Sequence, residues 1–264
     1  MSCKTDKKFK KPTRRNKALM LMAVYFGLTA FAGAFTVNAA TSVAEQSGIT
    51  ASANSSQVVL GGVRNFALSS VREISVNQSI NSVNVTVHSG SNIIVSFDAP
   101  DNNHIRAAYT LDDGRLTIVD YWRDAASTRS RLHSGTLNIS IPHTASSDLN
   151  FLNINVASAR IDINGQSSFL ADDVVLRTAN GRISITDLNA SNITAATANG
   201  AITAKDLVVD EDVVMSTANG NVAVYDSVIS GHLSIRLVRG NITLNNVDAD
   251  TNTLRTIVGR VRTN

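Results

Sequence analysis

The chain has 264 residues, 43% of them hydrophobic and 17% charged: enough apolar material for a packed core, and too little charge for a disordered polyampholyte. Its single cysteine, Cys3, excludes an internal disulfide, a thiolate metal cluster and a CxxC redox motif. The formal charge of +3 misleads, because residues 1–39 hold eight of the 24 basic residues and one of the 21 acids; residues 40–264 keep 16 bases and 20 acids, a net of −4, which argues against nucleic acid as a partner.

The chain opens with a charged stretch, Lys4 to Lys17, followed by an uncharged and mostly apolar run of 18 residues from Ala18 to Phe35. Val37-Asn38-Ala39 then offers the small or aliphatic groups that signal peptidase reads. Residues 1–39 are therefore expected to be a secretory signal peptide cut after Ala39. The alternative is an uncleaved signal anchor, since 18 residues lie near the lower limit for spanning a bilayer. Cys3 precedes the apolar run, so it is not placed for lipoprotein-type acylation. Residues 40–65, rich in Ala, Ser, Thr and Gln, read as a flexible linker.

From 66 to 150 the chain reads as strand-rich. Apolar and polar residues alternate over Glu73–Val76, Val83–Val87, Ile93–Phe97, Leu116–Val119 and Leu137–Ile141. Pro100 and Pro142 end two of these strands, and Asn102-Asn103 and Asp112-Asp113-Gly114 supply turns. Tyr121, Trp122, Arg123, Arg129 and Arg131 form a segment with the residue mix of binding hot spots, suited to stacking on sugars or to anionic polymers. The plainer reading is a strand-to-strand loop whose Trp covers the end of the domain.

Residues 151–264 repeat. Thr178-Ala179-Asn180-Gly181 recurs as Thr197-Ala198-Asn199-Gly200 and Thr217-Ala218-Asn219-Gly220, with weaker copies ending in Gly240 and Gly259. After each glycine come alternating apolar positions, such as Ile183 and Ile185, then a second alternating set, such as Ile193 and Ala195. The expectation is all-β: a parallel β-solenoid with coils of about 20 residues, two short strands and two turns each. One coil cannot bury its inner face alone, so coils must stack. Asn180, Gly181, Asn199, Gly200, Asn219 and Gly220 are expected to be structural corners, because Gly reaches positive φ freely and Asn tolerates it. The three asparagines are also placed to form an amide ladder.

At this point the residues resemble a bacterial extracytoplasmic family called putative adhesins, a domain of unknown function. The resemblance rests on three blocks. They are Thr178-Ala179-Asn180-Gly181-Arg182-Ile183-Ser184-Ile185 and its copies; Val83-Asn84-Val85-Thr86-Val87 with Ile93–Phe97; and Gly114-Arg115-Leu116-Thr117-Ile118 leading to Leu137–Pro142. It covers about residues 66–264. It implies a solenoid-like fold on or outside the envelope, and no catalytic residues. Some members of that family are linked to envelope-stress or antimicrobial-peptide responses.

Chemistry-bearing clusters are few. Asp187, Asp206 and Asp226 each follow their glycine by six residues and would stack in a column. They read either as turn residues facing water or as a Ca²⁺ column, the one cofactor the sequence offers. Asp172-Asp173 and Asp210-Glu211-Asp212 are compositional candidates for a polysaccharide lyase or hydrolase. The five histidines form no metal spacing, and neither a GxSxG elbow nor a GxxxxGK loop occurs. The chain is therefore read as no enzyme, but as a secreted or cell-surface adhesin-like module for a glycan, envelope polymer or host-surface protein. A membrane-anchored envelope-stress component is the alternative, and a polysaccharide-active enzyme ranks last. Membrane contact is expected only through the N-terminal segment. The last coil lacks an evident cap, so end-to-end self-association is also expected.

Overall fold

The computed structural model describes residues 58–60, 62–99, 105–122, 135–143 and 149–264. The signal peptide and most of the expected linker fall outside the described residues. In chain order the strands are Val58–Val59 (β1), Arg64–Ala67 (β2), Glu73–Gln78 (β3), Ser82–His88 (β4), Asn92–Asp98 (β5), Ile105–Asp112 (β6), Arg115–Trp122 (β7) and Thr136–Pro142 (β8). Then come Phe151–Val156 (β9), Ile161–Thr178 (β10), Ile183–Asn199 (β11), Ile202–Val209 (β12), Val213–Asn219 (β13), Val222–Arg239 (β14), Ile242–Val258 (β15) and Val261–Thr263 (β16). The linker expected over 40–65 is corrected at its end, because β1 and the start of β2 already pair with the domain.

From β9 onward the chain winds a parallel β-solenoid of about six turns. Ile161, Ile183, Ile202, Val222, Ile242 and Val261 stack along a first wall. Leu152, Val174, Ile193, Val213, Leu233 and Asn252 stack along a second. The period-2 alternation turns every second residue inward. Ile183, Ile185, Ile193 and Ala195 are buried, while Ser184, Thr186 and Thr194 stay partly open to solvent. Two strands per coil is an undercount. A third, narrow face joins Leu188–Ala190 to Leu207–Val209 and onward to Val228-Ile229. Its inward residues Leu188, Leu207, Val209 and Ile229 complete the core.

The strand-rich part is not a separate unit. β3 lies between β7 and β9, parallel to both, and β4 lies between β8 and β10, also parallel to both. The earliest coil, β3–β4, is thus inserted between the later coils β7–β8 and β9–β10. One apolar core runs from Leu60 to Leu244.

The two ends differ. At the first, antiparallel strands close the stack: β5 on β8 and β2 on β5 over one wall, β6 on β7 and β1 on β6 over the other. Phe66 and Tyr109 meet edge-to-face across this end, with ring centroids 5.1 Å apart. At the other, β15 and β16 form the last coil. There Asn252 stands exposed at the register position of the buried Leu233, and Ile257, Val258 and Val261 are 47%, 56% and 44% exposed.

Candidate functional site

The Thr-x-Asn-Gly corners bring three columns together. A Cβ added to Gly181, Gly200 or Gly220 would lie 1.8 Å from the carbonyl oxygen of Ala159, Gly181 or Gly200 on the coil below. Gly240 and Gly259 repeat this approach at 1.9 and 1.7 Å. Glycine is therefore required by contact between stacked backbones. Positive φ is not the reason at Gly181, Gly200 and Gly220, which like Asn180, Asn199 and Asn219 lie outside the positive-φ region, whereas Gly240 has a φ of 141° as well as the close contact. That corrects the expectation drawn from turn chemistry. Just inside the corner the buried hydroxyls of Thr178, Thr197 and Thr217 donate to the carbonyls of Ala159, Gly181 and Gly200 at 3.0, 3.0 and 3.1 Å. Just outside, Asn219 Nδ2 donates to Asn199 Oδ1 at 2.9 Å and Asn199 Nδ2 to Asn180 Oδ1 at 2.8 Å. Asn199 thus donates to the coil below and accepts from the coil above, so one amide column runs through the three corners.

The left-handed backbone lies at another corner. Asp187, Asp206, Asp226 and Asn246 have φ of 52°, 54°, 47° and 54°. Asp and Asn tolerate this region better than other non-glycine residues. The kink ends the first wall and starts the narrow face, which the sequence reading did not resolve. The constant position of Asp or Asn six residues after each glycine was its signal. Asn246 Nδ2 donates to Asp226 Oδ1 at 3.0 Å, and Lys205 Nζ lies 3.0 Å from Asp206 Oδ2. The hydrogen bond and charge of Asp206, helped by Asp226 and Asp187, hold the exposed Lys205 ammonium above its ordinary pKa. Among the described residues no three His, Cys, Asp or Glu side chains group in a way that could hold a metal ion.

The acids weighed for polysaccharide chemistry sit at the corner between narrow face and second wall. Glu211 Oε2 accepts from Asn192 Nδ2 at 2.9 Å, and Asp212 Oδ1 accepts the His232 backbone N–H at 2.9 Å. Both thus bond to neighbouring coils. Asp172 and Asp173 occupy the equivalent corner one turn earlier than Asn192.

The aromatic–arginine segment is only partly placed. Tyr121 is half-buried on β7. The side chain of Trp122, and Arg123, Arg129 and Arg131 entirely, lie outside the described residues. Beside Tyr121 is a group the sequence reading missed. Asp120 points inward from β7 and is 8% exposed. It accepts the Ser79 hydroxyl, the Ser79 N–H at 2.6 Å and Asn81 Nδ2 at 3.0 Å. Asn81, fully buried, in turn accepts the Gly135 N–H at 2.8 Å and donates to Gln78 Oε1 at 2.8 Å. Burial pushes the Asp120 carboxyl above its usual range, and the Ser79 and Asn81 donors oppose that rise. This polar node ties the inserted coil to β7 and β8.

Several solved structures resemble the chain. A "putative adhesin" from Bacteroides fragilis is 13% identical, with a TM-score of 0.47 over 79% of this chain and 97% of that one. A second "putative adhesin", from Parabacteroides distasonis, is 14% identical with a TM-score of 0.32 over 80% and 96%. A "putative lipid binding protein" from the same organism is 11% identical with a TM-score of 0.33 over 77% and 98%. None of the three is described as an enzyme. No curated protein matches the chain. One family model, Toastrack DUF4097, matches residues 71–262, from the approach to β3 into β16. Carrying that match across every coil of the solenoid, the chain belongs to the Toastrack DUF4097 family.

Proposed function

We propose that the chain is a secreted or cell-surface β-solenoid that acts as an adhesin-like binding module, with a glycan, an envelope polymer or a cell-surface protein as partner. One observation carries the reading: the outward side chains of the first wall stand in straight columns. Asn84, Asp162, Ser184 and Thr203 form one, and Thr86, Asn164, Thr186 and Lys205 the next. Rungs about 4.8 Å apart present short hydrogen-bonding groups over and over, a surface that meets a repeating ligand many times at once. The export segment expected at residues 1–39 supports an extracytoplasmic address. The test is retention of the purified chain on whole cells and on isolated envelope polymers. Retention on neither ends the proposal.

A second reading has its own support. Residues 206–231 hold Asp206, Asp210, Glu211, Asp212 and Asp226 and no basic residue. Such an acidic flank fits a membrane-anchored component that sequesters cationic peptides during envelope stress. A deletion strain with unchanged sensitivity to cationic peptides would remove that reading.

A further inference from the structure

Charge is segregated along the stack. Residues 40–231 carry 11 basic and 18 acidic side chains, whereas residues 232–264 carry five arginines against Asp248 and Asp250. The five are Arg236, Arg239, Arg255, Arg260 and Arg262, all exposed. Among the described residues none of them forms an ion pair or a side-chain hydrogen bond. Arg236 and Arg255 are direct neighbours on the outer face of the second wall, one rung apart. Arg239 sits on top of Asn219, at the head of the asparagine ladder, and Arg260 follows Gly259 on the next coil of the same corner. Arg262 faces out from the first wall beside Thr243. The two acids lie on the narrow face, at Asp248 and just beyond it, away from this corner.

Unpaired guanidinium groups one rung apart repel each other in the absence of a ligand. An anion relieves that repulsion, and the planar fork of arginine suits bidentate capture of carboxylate or phosphate. Arg236 and Arg255 project sideways from a wall rather than off the end of the stack. Their spacing of about 4.8 Å is close to the rise of one sugar residue in an extended polymer. We propose that the arginines of the last two coils, Arg236, Arg239, Arg255, Arg260 and Arg262, bind an anionic glycan polymer lying across the corner between the two walls. This deepens the binding-module reading and rests on it. A second copy docked by the same end would bring its own five arginines beside these.

The experiment measures binding of the full chain to immobilised polygalacturonate, to neutral dextran, and to vesicles of phosphatidylglycerol or phosphatidylcholine. The expected result is retention on polygalacturonate alone, weakening at least about tenfold as salt rises from about 0.05 to 0.5 M. The variant Arg236→Gln/Arg255→Gln/Arg260→Gln should bind about tenfold more weakly or worse, with an unchanged melting transition. Arg255→Lys, which keeps the charge and loses the fork, should fall between. Arg64→Gln/Arg106→Gln, at the capped end, should bind like the parent. Equal binding by the triple variant overturns the proposal, as does retention on phosphatidylglycerol without retention on the polymer. So does a triple variant that self-associates in sedimentation while still binding polymer, because the arginines then only guard an open strand edge. Retention on isolated envelope but not on polygalacturonate removes this inference and leaves the binding module standing. Retention on neither removes both.

Discussion

The six coils from β9 to β16 and the two coils before them share one core, yet they turn their corners by different means. In the regular coils one corner is a glycine pressed against the carbonyl below, and at Gly181, Gly200 and Gly220 it is flanked by a buried threonine and an exposed asparagine. Every contact is to the adjacent coil, so the same device works at each level. The inserted coil β3–β4 must fit between two neighbours that come later in sequence. Its corner, Ser79-Ile80-Asn81, uses side chains around Asp120 that occur once. A repeated corner can rely on backbone packing alone. A singular junction needs a polar group with specific partners, at the cost of burying it.

Breaking the glycine column should have the largest effect. Gly200→Ala places a methyl group 1.8 Å from the Gly181 carbonyl, and backbone has no room to yield. A loss of about 3 kcal/mol or more in denaturant unfolding is expected, with Ala201→Gly as a mild control. Cutting the polar node comes next. Asp120→Ala removes the acceptor of the part-buried Ser79 N–H and one of the two acceptors of the buried Asn81 Nδ2, and should cost about 2–3 kcal/mol. The damage should appear as lost amide-exchange protection in β3, β4, β7 and β8 before it appears in β13 to β15.

The aspartate corner is softer. Asp206→Val forces a β-branched residue to φ near 54° and should cost about 1–2 kcal/mol, while Asp206→Gly should be tolerated. Full tolerance of the valine would mean that the corner relaxes out of the left-handed region. Asn199→Ala breaks two rungs of an exposed ladder and should cost about 1 kcal/mol or less.

The smallest effect sharpens the contrast through pH. Asp120 has a raised folded pKa, so the folded chain holds that proton more tightly than the unfolded chain. Its contribution to stability is therefore most favourable at low pH. It declines as pH rises from the ordinary carboxylate range through the raised value, and is level above it. Urea titrations of the parent and of Asp120→Asn at several pH values should differ across that window, and variants of the aspartate corner should not reproduce the difference.

Much of this was legible in the residues. The strands, the coil length and the glycine register follow from alternation and spacing, because a stack repeats what each coil must satisfy. The function of the glycines was misassigned, since Asn-Gly signals a turn with positive φ whenever only local chemistry is considered. Here the deciding contact comes from a residue 19 to 22 positions away, such as Gly181 against Gly200. The narrow face escaped because Leu188–Ala190 is too short for alternation to register. The insertion of β3–β4 could not be read at all: Val83-Asn84-Val85 looks like any other rung, and its partners Leu137 and Ile161 are 54 and 78 residues away. Asp120 was hidden by its alternation, since an acid at an inward position reads as a strand end until its donors are seen.

The insertion also bears on mechanics. A coil at the end of a stack can be peeled off one hydrogen bond at a time. β3 and β4 are held on both edges, so a pull on the chain ahead of them must shear two interfaces together. If residues 1–57 tether the molecule to a surface, load enters close to a coil held on both edges. The last coil, at the far end, would then be the part that yields first when a bound partner is drawn away.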